Sequence, residues 1–514
     1  MTADLNRLAM TVLQPGFEGT SAPDWMRRAL GEGLGGAVLF ARNVSSGVAS
    51  LVASLRAENP GVVVAIDEEG GVVTRLEART GSSFPGNRAL GVVDSVDLTH
   101  RVAAEIGRLL AAADITLDYA PSVDVNANPA NPVIGIRSFG PTPSLVSRHT
   151  VAWIEGLQGA GVAACAKHFP GHGDTVTDSH LALPTVHASR SLLSSRDLPP
   201  FEAAIKAGVQ AIMCGHLLMP ALDPALPATL SRTILTGLLR EELGFDGMLV
   251  TDAIEMKAVA ALYSPGEIAV RALNAGVDAI CVGIATEESL YSLRDAIVSA
   301  VRSGTLAEER LASAANRVLT LSSWYAQQSP LRTAALTSSP TLTPTATPST
   351  APPSALSATS SAAPPSAPST ASSSAPSAGF SAGLEAARAA LTTTGTPNLT
   401  APPLVVEVNT RLNQAIDPST PTGLAAALPG SIRATMTAEG TLPSLDTDRP
   451  VVLVVHDTAR HEWVRQALSE ALTQRPDAIV IETGIPDTPV GAAYAATHGI
   501  SRVSAQAAAE WLTS

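Results

Sequence analysis

Residues 162–180, VAACAKHFPGHGDTVTDSH, decide how the chain is read. The segment opens as a short run of small apolar residues, enough for one buried strand. It closes on Lys167 and His168, and Pro170, Gly171 and Gly173 then impose a turn-rich loop. An apolar run that ends on ionisable side chains and gives way to such a loop is what a parallel strand with a site at its C-terminal end requires.

Seven further runs keep the same beat on either side. They are LAMTVL (8–13), GAVLF (36–40), VVVAID (62–67), ITLDYAPSVDV (115–125), QAIMCGHL (210–217), GMLVTD (247–252) and VDAICVG (277–283). Between them lie amphipathic segments of helical period, among them LTHRVAAEIGRLLAAA, LVSRHTVAWIEGLQGA, LSRTILTGLLREEL and LYSLRDAIVSAVRSG. Strand and helix in alternation call for a parallel sheet, and eight units favour a closed (β/α)8, TIM-like barrel over an open doubly wound sheet.

Outside this unit, the stretch between Arg332 and Glu385 carries no charged residue and is rich in Ser, Ala, Pro and Thr. Such a composition buries too little apolar surface to offset its ordering entropy and predicts a disordered linker over 329–384. Beyond it, PLVVEV, PVVLVVHD and DAIVIETG read as buried strands, and ARHEWVRQALSEALTQR and VSAQAAAEWL as helices. The expected layout is a catalytic domain over 1–328, the linker, and a small α/β sandwich of about four strands over 385–514. That last domain shows no catalytic signature, and truncation near Ser329 is expected to leave an active barrel.

The totals suit this division. A chain of 514 residues exceeds what one core usually organises. With 45% hydrophobic and 15% charged residues it can bury a large interior, and with 4% aromatics that interior is built from aliphatic side chains. A formal charge of -13 without a basic cluster excludes a nucleic-acid partner. Cys165, Cys214 and Cys281 lie singly in apolar runs, as reduced buried thiols in a reducing compartment would. The absence of a signal-type N-terminus and of a membrane-length apolar stretch leads to the expectation of a cytoplasmic enzyme with no membrane partner.

Ionisable residues collect at the ends of the runs: Asp67, then Lys167 and His168, His216 and Asp252. Any one of them alone is as well explained by a helix cap or a hydrogen-bonded structural histidine. Their convergence on one end of the sheet is what points to a site. The segment 167–180 supports two readings. Its three histidines and two aspartates have the residue types of a divalent-metal hydrolase. Alternatively, a carboxylate orients a histidine for proton transfer, and Asp178 and His180, two apart in an extended segment, project to one side and can hydrogen-bond.

The segments AIDEEGGVVTRL, NPVIGIRSFG, KHFPGHGDTVTDSH and FDGMLVTDAIEMKA closely resemble the family 3 glycoside hydrolases, specifically the bacterial β-N-acetylglucosaminidases of peptidoglycan recycling. The likeness runs from about Leu8 to Leu321. It implies a retaining hydrolase with Asp252 as nucleophile, His180 as acid/base and Asp178 as the partner of that histidine. It further implies that Asp67, Arg75, Arg137, Lys167 and His168 bind the N-acetylglucosamine unit, with His216 as another pocket residue and no metal or cofactor. The acid/base pair within the barrel favours an N-acetylhexosaminidase over a β-glucosidase. A phosphorylase using the same residues, or a degenerate sugar-binding scaffold, are the remaining alternatives. Ala253 departs from the family pattern, in which a second acidic residue often follows the nucleophile.

Overall fold

A computed structural model describes residues 4–337, 381–408, 410 and 414–514. Its N-terminal strands are β1 (Leu13–Pro15), β2 (Gly36–Leu39), β3 (Val63–Ile66), β4 (Leu117–Asp118), β5 (Ala163–Phe169), β6 (Ala211–Cys214), β7 (Met248–Thr251) and β8 (Ile280–Val282). Strands β2 to β7 form a curled parallel sheet in sequence order, and β1 pairs in parallel with β8. Isolated parallel bridges, Gly16 to Val38 and Val250 to Ala279, join that pair to the two edges of the larger sheet.

Alternation along the strands divides the side chains between two cores. Val63, Ala65, Leu117, Ala163, Cys165, Met213 and Val250 turn inward, where Val318 and Leu321 of the helix Glu308–Gln327 join them. Val64, Ile66, Ala164, Ala166, Ile212 and Leu249 turn outward against the surrounding helices. Both faces being buried explains why the runs read as continuously apolar.

The first run divides differently from its reading as a strand. Most of LAMTVL lies in the helix Leu5–Thr11, whose start Asp4 caps by accepting from the amides of Asn6 and Arg7, and the strand begins only at Leu13. The cap fixes the helical register before the apolar residues arrive.

The linker expectation meets ordered structure at both ends. Ser329–Thr337 is a helix, fastened where the Arg332 guanidinium lies 3.7 Å from the centre of the Tyr325 ring. Ala382–Ala390 is also a helix, and its first amides donate to buried Glu105 while Arg101 forms a bidentate pair with Glu385. Residues 338–380 of the expected linker lie outside the described residues.

The C-terminal sheet has six strands where about four were expected. They are β9 (Thr392–Thr394), β10 (Leu404–Val408), β11 (Ile432–Met436), β12 (Val451–Val455), β13 (Ile479–Glu482) and β14 (Ala493–Ala496), in the order β11-β10-β12-β13-β14-β9. Five run parallel and β9 closes the edge antiparallel to β14. The helix Glu462–Gln474 covers one face and Arg502–Leu512 the other. This unit rests on the first through Arg460, which donates to the carbonyl of Asn131, and Arg502, which reaches Glu77 and Ser83. Val72 and Val73 pack there against Ile500, Ala415 and Ile416.

Candidate active site

The C-terminal ends of β3, β5 and β7 open on one cavity of about 220 Å³. Asp67, Arg75, Arg137, Lys167, His168, His180 and Asp252 all line it, together with Glu69, His172, Ser179, Gln414 and Ala415. Seven of the nine residues expected from the sequence therefore meet in one place. Asp178 stands behind His180, and His216 lies off the wall.

Lys167 is fully buried with its Nζ 2.7 Å from Asp67 Oδ1 and 2.7 Å from Glu69 Oε1. Arg137 grips Glu69 with two hydrogen bonds, 2.6 and 3.0 Å, and Arg75 lies 3.5 Å from Asp67. Burial by itself would push the Asp67 and Glu69 carboxyls up and the Lys167 ammonium down. The facing charges reverse both effects, so the acids stay below and the lysine above their ordinary values. The result is a rigid lattice of fixed ionic donors and acceptors, of the kind that orients a neutral polar ligand by charge-assisted hydrogen bonds.

The loop after β3 is held by a residue that does not touch the cavity. Glu68 accepts from the amides of Arg75 and Leu76 while its own amide donates to Asp118, which sets Arg75 at the wall. Burial raises the Glu68 pKa to about 7.

The loop after β5 is organised by Asp124. Its carboxylate accepts from His168 Nδ1 at 2.7 Å and from the His172 amide at 2.6 Å. His172 in turn bonds Thr175 through Nδ1 and Ser179 through Nε2, and burial lowers its pKa to about 4. Gly173 sits where an added Cβ would lie 1.8 Å from the Val125 carbonyl, so the loop is pressed on the segment after β4 and only glycine fits. Asn131 of the NPVIGIRSFG segment clamps the same loop, donating to the His172 carbonyl.

Asp178 and His180 are joined, though not through an extended segment. The chain turns there, with the Leu181 and Ala182 amides returning to the Asp178 carbonyl. Asp178 Oδ1 accepts both the His180 amide at 2.9 Å and the His180 Nδ1 at 2.8 Å. One carboxylate oxygen thereby fixes backbone and ring together, and Nε2 remains as the nitrogen for proton exchange. Burial opposes ionisation of Asp178, but the hydrogen bonds from His180 prevail and its carboxyl lies below the ordinary range.

Asp252 follows β7 directly, its amide donating to the Cys214 carbonyl and its Oδ1 accepting from the Ala253 amide. Burial would raise its pKa. The nearby His168, His216 and His180 rings outweigh that, and the group is held below its ordinary value. An ionised carboxylate at the end of a strand, with a carboxylate-held histidine on the same cavity, can supply one attacking oxygen and one proton carrier.

His216 is the expected site residue that the structure moves off the wall. Its Nδ1 pairs with Thr229 and its Nε2 with the Ala253 carbonyl, so it buttresses the residue after Asp252. Sequence reasoning missed Glu69, Asp124 and Gln414. Glu69 was visible in the acidic triplet DEEGG and Asp124 as a polar residue late in the fourth run, whereas nothing local marks Gln414. Among the described residues no group of three or more His, Cys, Asp or Glu is arranged to hold a metal ion.

A parallel sheet with a small, charged cavity at its carboxyl ends has the site in the place where enzymes of this architecture carry theirs. The family model for the N-terminal domain of glycosyl hydrolase family 3 matches residues 26–321, and the chain belongs to that family. It is 37% identical over 329 residues to beta-hexosaminidase A of Pseudoalteromonas piscicida, covering 58% of this chain and 54% of that one. It is 35% identical over 266 residues to the beta-hexosaminidase LpqI of Mycobacterium tuberculosis, covering 51% and 68%. The chain thus spans about half the length of the first of these relatives. Among solved structures, a family 3 beta-N-acetylglucosaminidase from Paenibacillus sp. aligns at a TM-score of 0.82 and 33% identity, covering 100% of this chain and 97% of that one. Among the described residues, no helix is long and apolar enough to cross a membrane.

Proposed function

We propose that this family 3 hydrolase is a retaining β-N-acetylhexosaminidase that releases terminal non-reducing N-acetylglucosamine from muropeptide or chitooligosaccharide fragments. The observation that carries the reading is that Asp252 and the Asp178-held His180 line one cavity together with the ionic lattice of Asp67, Lys167, Glu69 and Arg137. The names of the relatives supply the aminosugar. In this reading the eight strands make a single (β/α)8 barrel, with its site in the usual place.

Asp252 attacks the anomeric carbon as His180 gives a proton from Nε2 to the departing glycosidic oxygen, so the C–O bond breaks as the carboxylate–carbon bond forms. His180, now neutral, takes a proton from water, whose oxygen displaces Asp252 and restores the starting state. Asp178 steadies the imidazolium of the first step. A histidine in this role avoids setting a second full negative charge against Asp252. Asp67, Arg75, Arg137, Lys167 and His168 hold the sugar hydroxyls.

A 2-fluoro analogue of the substrate should label Asp252, read by peptide mass spectrometry. Label found only elsewhere, or none on an enzyme that turns over substrate, would falsify the assignment. Running the same turnover with inorganic phosphate and looking for a sugar 1-phosphate separates hydrolysis from phosphorolysis.

A further inference from the structure

The cavity is not made by the N-terminal unit alone. Gln414 and Ala415, from the segment that follows β10 in the C-terminal unit, form part of its wall. We infer that this segment recognises the 2-acetamido group of the sugar, with the Gln414 side-chain amide making the polar contact and Ala415 and Val73 the apolar one. The inference rests on the hexosaminidase reading and adds a specificity-determining residue to it.

Chemical matching carries the assignment. The hydroxyls of a pyranose are served by the charged lattice, where Asp67, Lys167, Glu69 and Arg137 are already fixed in place. An acetamide is different: a neutral amide with one donor, one acceptor and a methyl group. Its complement is a neutral amide beside small apolar surface. Gln414 offers both a donor and an acceptor, and Ala415 packs with Val73, which itself faces the cavity.

The segment is also held firmly enough to discriminate. Ile416, next in line, packs on Val72, Val73 and Ile500. The Asp417 carboxylate accepts from the Ser419 amide and hydroxyl, and its carbonyl from the Thr420 amide, closing the following turn. Asp417 lies within electrostatic reach of Arg42, which donates to the carbonyl of cavity residue Gly283 at 2.6 Å and stacks on Phe40. The packing of Ile416 and the turn at Asp417 therefore hold this stretch against the N-terminal unit. A cavity of about 220 Å³ is below the usual range for larger ligands and suits one sugar. A residue on its wall accordingly meets the terminal aminosugar.

The test uses the full chain with Gln414→Ala and the closer-sized Gln414→Leu. KM and kcat are measured on 4-nitrophenyl N-acetyl-β-glucosaminide, with inhibition by free N-acetylglucosamine and free glucose read on the same substrate. Loss of one neutral hydrogen bond should raise KM and the N-acetylglucosamine inhibition constant about three- to tenfold, with kcat and glucose inhibition nearly unchanged. Equal weakening toward both sugars, or no change in either, overturns the inference while wild-type turnover leaves the hexosaminidase reading intact. A folded wild-type enzyme inactive on the N-acetylglucosaminide overturns both.

Discussion

The two sheets of this molecule place similar residues in the same topological position and use them differently. In the C-terminal sheet, β12 ends at His456 and Asp457, and β13 ends on buried Glu482, just as β3 and β7 end at Asp67 and Asp252. Yet Glu482 accepts from the amides of Asp457, Thr458 and Gly484 and from the Thr458 hydroxyl. Asp457 is taken up by the Ile485 amide and Arg460. Backbone amides, a hydroxyl and one arginine occupy these carboxyls. At the N-terminal sheet the partners of Asp67 and Glu69 are side chains arranged around a void, and Asp252, which accepts from the Ala253 amide, stands on the same void. A carboxylate at a strand end marks a site only where its neighbours leave room for a ligand.

The comparison is broken most sharply by a pair of substitutions. Asp252→Asn should lower kcat on the order of 10⁴-fold with an unchanged melting temperature, because it removes the attacking group and little else. Glu482→Gln should leave kcat unchanged and cost about 1–3 kcal/mol of stability in denaturant titration, since four donors share its two oxygens and the Gln NH2 group cannot accept from those that one oxygen serves. An inactive, stable Glu482→Gln enzyme would show that the C-terminal strand ends also do chemistry. Next in size, His180→Ala should reduce turnover roughly 10²- to 10⁴-fold on a poor leaving group and less on 4-nitrophenol, which departs without a proton. Equal losses on both would remove His180 from the proton-donating role.

The ionic lattice provides a third measure. Glu69→Gln leaves Lys167 and Arg137 short of one buried counter-charge, and an unfolding penalty of about 3–5 kcal/mol is expected. The smallest effect is one of pH. Burial holds His172 at about 4 against an ordinary 6.5, so between those values the unfolded chain binds a proton that the folded one does not. That contribution to stability is full above pH ~6.5 and fades as pH falls toward about 4. The fall in denaturation midpoint across this window should be shallower in His172→Gln.

Much of the N-terminal unit was legible because both faces of its strands are buried, which writes each strand as an apolar run with its functional residue at the end. Asp67, Lys167, His168 and Asp252 could be placed on that ground alone. The grip of Arg137 on Glu69 could not, since 68 positions separate them and only the fold brings them together. The Asp178–His180 contact was foreseen for the wrong local reason, through an extended segment in place of a turn. In the C-terminal sheet, β14 is written AYAA and β9 TTT, too short and too poor in large β-branched residues to stand out, and exposed β11 has no buried pattern. Gln414 was invisible because its meaning depends on how one unit sits on another. The same seating changes the expectation for truncation near Ser329, which would strip part of the cavity wall and uncover the apolar contact of Val72 and Val73.

Two of its three cysteines give the N-terminal unit a built-in clock. Cys165, Cys214 and Cys281 are unpaired and buried on β5, β6 and β8, and burial pushes all three thiols up, Cys214 to about 12. Cys281 also lines the cavity, but a thiol reagent reaches Cys165 and Cys214 only when the strands part, so their alkylation rates count how often that portion of the sheet opens. Two adjacent strands timed separately, with Cys281 reporting access through the cavity, would tell whether the sheet opens between β5 and β6 or comes apart as a whole.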